Sequence, residues 1–161
     1  MSDRPSLQEI RDRREIATRK ISDETGITDV MIHDVVHGFY DRVRADAVLG
    51  PIFAEKINDW DFHLDRMCAF WGSVALAKGA YDGRPMQKHM PLAIDRHHFD
   101  RWLELFAETL KDLCPPAAAR HFMERALRIA QSFELGIAAH NGVILGKGER
   151  YDPNPVKSWT P

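Results

Sequence analysis

The apolar residues of this chain recur at helical spacing along almost its whole length, and prolines and glycines cut that pattern into segments. A stripe of this period is buried only by packing helix against helix, so the sequence is restricted to an all-α fold. Each helical residue turns about 100° around the axis. On that wheel Ile32, Val36, Phe39, Tyr40 and Val43 gather on one side of a helix starting near Thr28, whose hydroxyl suits an N-cap. Gly50-Pro51 reads as the end of a short helix. A second long helix opens around Asn58-Asp59, with His63, Met67, Phe70, Trp71 and Val74 in one stripe.

Gly79 to Pro85 reads as a loop, followed by a short turn of helix from Pro85 to His89 that Pro91 stops. Asp95 can cap a third long helix whose inner face is Phe99, Trp102, Leu103, Phe106, Leu110 and Leu113. Pro115-Pro116 breaks it, and Pro116 suits the first turn of a fourth. That helix buries Phe122, Ala126, Ile129, Phe133 and Ile137 before Asn141-Gly142 closes it. No alternating run or hairpin signal competes, so four main helices are expected. Residues 1–27 read as a charged, peripheral helical extension, 28–142 as the domain, and 143–161 as an extended or disordered tail.

A single domain of 161 residues can bury a substantial core. Its net charge of −2 argues against a nucleic-acid partner, which would want a strongly basic face. No apolar run approaches the ~20 residues that a membrane helix needs. The opening "MSDRPSLQEIRDRREIATRK" lacks the apolar stretch of a signal peptide, so a cytoplasmic location is expected. There Cys68 and Cys114, which form no C-x-x-C pair, would stay reduced. The motifs of serine hydrolases, phosphate loops and zinc peptidases are absent, and so is the E-x-x-H of a di-iron bundle.

Histidines carry the remaining chemistry. His89 closes a short segment between two prolines, where a ring nitrogen can meet a metal without disturbing a packed helix. The plainer reading is a surface histidine favoured by a helix C-terminus. His63 sits at the centre of an apolar stripe and must find a partner, either within the core or on a ligand. Tyr40 and Trp102 pose the same question from two other helices. Three polar tips on three apolar faces are more than packing requires, and they suit a pocket for a polar ligand. His33 and His37 have the i, i+4 spacing of a metal pair, but His37 lies about 120° off the apolar stripe. Both read as solvent-facing or edge residues. Adjacent His97 and His98 cannot face the same way, so one of them can approach a pocket rim, while His121 and His140 show no partner pattern.

The runs "FYDRVRADAVLGPIFAE", "WDFH…FW" and "KHMPLAI…HFDRWLELF" resemble the truncated haemoglobins, specifically group III. The likeness covers roughly Thr28 to Gly142, and the absence of Gly-Gly pairs separates the chain from groups I and II. It implies a two-over-two helical sandwich, here with an N-terminal helical extension. It implies His89 as the proximal ligand of haem iron. Tyr40, His63 and Trp102 would be the distal groups facing a bound diatomic ligand. Phe39, Phe53, Met67, Trp71 and Phe99 would line the cofactor. Without a C-x-x-C-H motif the haem would be a non-covalent haem b.

On this resemblance the expected ligands are O2, NO and CO, on a monomer or weak homo-oligomer. The expected role is redox chemistry on nitric oxide or peroxide, drawing on a reductant that the sequence does not identify, rather than oxygen transport. The alternatives are a haem-based sensor or oxygen-binding protein without turnover, and a haem-free bundle in which every polar tip is satisfied core.

Overall fold

Local capping fixes where the helices begin and end. The computed structural model describes residues 4–79 and 81–154, and among these it contains seven helices and no strand. They are α1 (Leu7–Thr25), α2 (Asp29–Ala45), α3 (Gly50–Lys56), α4 (Trp60–Leu76), α5 (Pro85–His89), α6 (Arg96–Leu113) and α7 (Pro116–His140). Ser6 and Glu9 form a reciprocal capping box on α1, and Gly26 ends it in the left-handed region at φ 74°. The Thr28 hydroxyl accepts from the Met31 N–H at 3.2 Å, and Asp59 accepts from the Phe62 N–H at 3.1 Å. Asp95 caps α6 through the His97 N–H, while its own N–H donates to His98 Nδ1 at 3.0 Å.

Gly50-Pro51 begins a helix, contrary to the expectation that it ends one. Pro51 occupies the first turn of α3, where its missing N–H leaves nothing unpaired. Gly50 is required there by crowding. A Cβ at that position would stand 2.9 Å from the Arg44 carbonyl oxygen.

Helix α2 packs on α4, α6 packs on α7, and the two pairs meet through α2–α6 and α4–α7 contacts. This is the two-over-two sandwich. Its centre is Phe106 of α6, with 0 % exposure. The ring stacks on Trp71 of α4 at 5.1 Å and on Trp102, one turn away, at 5.5 Å. It meets Phe39 of α2 edge-on at 5.2 Å and Phe122 of α7 at 6.5 Å. Aromatic pairs in such geometries contribute about 0.5–1.5 kcal/mol each beyond the area they bury. Leu113, expected on the inner face of α6, is half exposed in the last turn, and Leu105 and Thr109 are buried instead. Thr109 is accommodated because its hydroxyl donates to the Leu105 carbonyl at 2.8 Å.

The N-terminal extension is docked against the sandwich. Helix α1 buries no residue fully, yet it rests on α4 and α7, and the Thr18 hydroxyl donates to the Leu76 carbonyl at 2.5 Å. The tail has no regular structure over residues 143–154, but it is tied down at Arg150 and Tyr151. The rest of the expected tail, 155–161, lies outside the described residues.

Asp46 joins three helices. Its Oδ1 accepts from Arg101 of α6 at 2.7 and 2.8 Å, and its Oδ2 accepts from the Val48 and Leu49 N–H groups between α2 and α3. The Arg101 guanidinium, aided by those backbone donors, holds the Asp46 carboxyl below the ordinary carboxylate range. A lowered carboxyl pKa contributes stability above the unfolded-state value, and that contribution is lost as pH falls through the folded-state one. Asp46→Asn is therefore expected to cost about 2 kcal/mol at neutral pH. In urea titrations the gap to wild type should close as pH drops below the carboxylate range; a gap constant with pH would show that the charge is not responsible.

Candidate functional site

The sandwich leaves one side of its aromatic core open as a cavity of about 440 Å³, walled by side chains from α2 through α7. That volume falls within the range of small-molecule and cofactor pockets, and its walls are mostly apolar. Of the residues singled out in the sequence, Tyr40, Phe53, His63, Met67, Trp71, His89, Phe99 and Trp102 all reach it. Phe39 does not. It stands one layer back, edge-on to Tyr40 at 5.1 Å and to Trp102 at 5.4 Å, because the apolar stripe of α2 is centred on the core rather than on the cavity.

His89 is oriented by its own short helix. Its Nδ1 lies 2.6 Å from the Pro85 carbonyl oxygen, so that nitrogen carries the proton and donates, leaving Nε2 with a free lone pair. The ring stacks on Phe133 of α7 at 4.4 Å. Burial pushes its pKa down, and Lys88 adds to this, so the imidazole is neutral at physiological pH. Helix α5 can approach α7 closely because Gly136 has no side chain. A Cβ there would lie 2.5 Å from the Met86 sulfur, which would have to turn away.

The other polar tips cluster at one end of the cavity. The His63 ring stands at 88° to Tyr40 at 5.1 Å and at 86° to Trp60 at 5.7 Å. Arg44 covers Trp60, 4.4 Å from its ring centre. Among the described residues, His63 Nε2 is the buried side-chain polar atom without a hydrogen-bond partner. Burial, with His89 and Lys88 nearby, lowers the His63 pKa and keeps it neutral. Burial raises the Tyr40 pKa, so its hydroxyl remains a donor throughout the physiological range.

This arrangement fits a haem. One neutral imidazole cannot cage a bare ion, but it can complete the coordination of iron already held by a macrocycle. Flat aromatic walls suit a planar ring, and Lys56 and Lys88, both at the cavity, can pair with peripheral carboxylates. An orphaned His63 nitrogen is what a site awaiting a polar ligand would leave.

Several wall residues carry no signal in the sequence, notably Ile94, Lys56 and Lys88, and Phe133 is visible there only as one more apolar position on α7. Of the adjacent pair His97 and His98, it is His98 that reaches the cavity, while also capping α6. Adjacent His97 points elsewhere, 3.7 Å from Asp152. His33 and His37 stack on each other at 4.0 Å on an outer face of α2, and His121 pairs with the Ala75 carbonyl at 2.8 Å.

Comparison with known proteins agrees with the geometry. Residues 21–133 match the family model described as "Bacterial-like globin". The "Group 3 truncated hemoglobin ctb" of Campylobacter jejuni is 33% identical over 109 residues, covering 65% of this chain and 86% of that protein. The "Group 1 truncated hemoglobin GlbN" of a Nostoc species is 36% identical over 70 residues, covering 43% of this chain and 58% of that one. A crystal structure of group III truncated hemoglobin from Campylobacter jejuni superposes with a TM-score of 0.65 at 30% identity. It covers 76% of this chain and 96% of that one.

A buried polar atom left without a partner costs about 1–3 kcal/mol. His63→Leu is therefore expected to raise the stability of the ligand-free chain by about 1 kcal/mol in urea unfolding. A loss of stability would mean that His63 is satisfied core rather than a group reserved for a ligand.

Proposed function

Because this chain belongs to the bacterial-like globin family, among the truncated haemoglobins of group III, we propose that it is a haem b protein using diatomic ligands for redox chemistry. A globin of this family holds haem iron and binds small diatomic ligands such as O2. The finer assignments are our own. His89 Nε2 would hold the iron, kept in register by the bond from Nδ1 to the Pro85 carbonyl, which also raises the basicity of the ring. When bound, the haem would supply an iron position that takes O2, NO or CO and at which redox chemistry on nitric oxide or peroxide can occur.

The chain's own side chains do the rest. The Tyr40 hydroxyl and Trp102 N–H would donate to negative charge that develops on the ligand. Neutral His63 has one nitrogen to give a proton and one to take it, so it can serve as a proton donor or acceptor at the cavity wall. The apolar walls of Phe53, Met67, Trp71 and Phe99 exclude water and strengthen each of those polar contacts. The observation that carries this reading is the partnerless, buried His63 Nε2 in a cavity that also holds the pre-oriented His89.

Strong donors imply tight binding and slow release, which suits detoxification of nitric oxide or peroxide better than oxygen delivery. A reductant must then be supplied by another protein or small molecule. Sensing without turnover is the second reading, favoured by one contact: α1 rests on α4, the helix that carries His63. No helix among the described residues is long and apolar enough to cross a membrane. We place the protein in the cytoplasm, where Cys68 and Cys114 remain free thiols.

Purified protein should show a Soret band that shifts to a histidine-ligated ferrous–CO spectrum on reduction under carbon monoxide, and His89→Gly should abolish it. A chain that stays colourless with added haemin would sink the reading. Each hydrogen bond to a charged group contributes about 1.5–3 kcal/mol, so Tyr40→Phe should speed O2 release about ten- to a hundredfold. Consumption of nitric oxide in the presence of O2 and a reductant separates the enzyme from the sensor, which would bind without turning over.

A further inference from the structure

We propose that the tail segment Arg150–Asp152 is a strap that sets the His89 side of the cavity, with Arg150 and Tyr151 as positioning residues. The proposal rests on the haem reading above. It starts from Glu134 of α7, a carboxylate whose side chain is only 8 % exposed. Both Glu134 oxygens accept from Arg150 Nε at 2.9 Å, and Oε1 also accepts from the Tyr151 N–H at 3.0 Å. A buried carboxylate stripped of such partners is strongly unfavourable, so Glu134 and the tail are tied to each other.

The same three residues reach α6. Arg150 Nη2 donates to Asp100 Oδ1 at 2.7 Å, and the Tyr151 carbonyl accepts from the Arg96 N–H at 2.8 Å. That N–H belongs to the first turn of α6, where backbone donors have no partner within the helix. Asp152 completes the clasp, 3.4 Å from Arg96 Nε. The strap thus fastens the start of α6 to the C-terminal third of α7.

Those are the two elements that form the wall behind His89. The Tyr151 side chain is buried in a cluster with Phe99, Ala130 and Ile137, against which Ile94 and Phe133 also pack. Ile94, Phe99, Ala130 and Phe133 wall the cavity as well, and the His89 ring lies on Phe133. Tyr151 therefore belongs to the same packed cluster as Phe133, the ring on which the His89 imidazole rests. The strap falls beyond residues 21–133, the stretch shared with the family model.

The test compares the full, haem-loaded chain with Tyr151→Ala, Tyr151→Phe and Arg150→Lys. Val35→Ala serves as a control, a fully buried α2 position that does not reach the cavity. Two quantities are read: haem transfer to excess apomyoglobin, and the iron–histidine stretching frequency of the ferrous protein by resonance Raman. Tyr151→Ala should lose haem about tenfold faster, in line with other groups supporting a metal ligand, and should shift the stretch. Tyr151→Phe should behave as wild type, since burial of the ring carries the effect. Val35→Ala should leave both readouts unmoved even where it lowers the melting temperature as much.

If Tyr151→Ala fails to fold, Arg150→Lys gives the same test more gently, because an ammonium cannot reproduce the guanidinium's hold on Glu134 and Asp100 together. Strap variants that match Val35→Ala in both readouts would overturn the proposal. A wild-type chain that takes up no haem would overturn the haem reading itself, and the strap's role with it.

Discussion

Everything in this molecule hangs from the packing around Phe106. Its ring touches an aromatic side chain from each of the other three main helices as well as Trp102 on its own. Aromatic rings are rigid and meet only in a few geometries, so these contacts fix how the two helix pairs cross as well as how closely. Trp71 and Trp102 then have one face against Phe106 and another toward the cavity. The cavity floor is the back of the core. Placement of Tyr40 at the cavity follows from this, because Tyr40 is braced by Phe39, which is itself set by Phe106.

The polar groups of the site are expensive to bury, and the fold meets that cost differently at each. His89 is satisfied locally, four residues back along its own helix, so its orientation survives small motions of α5. His63 is left unsatisfied on one nitrogen. Asp46 and Glu134, the two carboxylates drawn inward, each gather an arginine and backbone N–H groups. The two inward carboxylates find partners, and the buried nitrogen without one belongs to a residue that lines the cavity.

Much of this was legible in the sequence because it is encoded locally. Thr28, Asp59 and Asp95 announce their helices by capping chemistry, and Pro85 with Pro91 brackets α5 at the residues observed. Eight of the nine residues that the resemblance implied reach one cavity, and Phe39 stands one layer back, a difference in depth that helical spacing does not show. Nor could spacing reveal that Gly50-Pro51 opens a helix, because the deciding contact is between the Gly50 position and the Arg44 carbonyl. The tail escaped for a similar reason. Nothing in "GERYDPN" signals that its arginine completes a buried glutamate on the preceding helix.

The cluster shared by Tyr151, Phe99 and Phe133 joins the fate of the fold to that of the cavity that Phe99 and Phe133 line. Side chains that line an empty cavity lose contacts on one face, so the unoccupied chain has a thinner margin against unfolding. A ligand that binds only the folded state adds stability by mass action, and by an amount that grows with the logarithm of its free concentration. The midpoint of unfolding is therefore no fixed property of this polypeptide. It follows the supply of the cofactor, and so, inside a cell, would the lifetime of the chain against proteolysis.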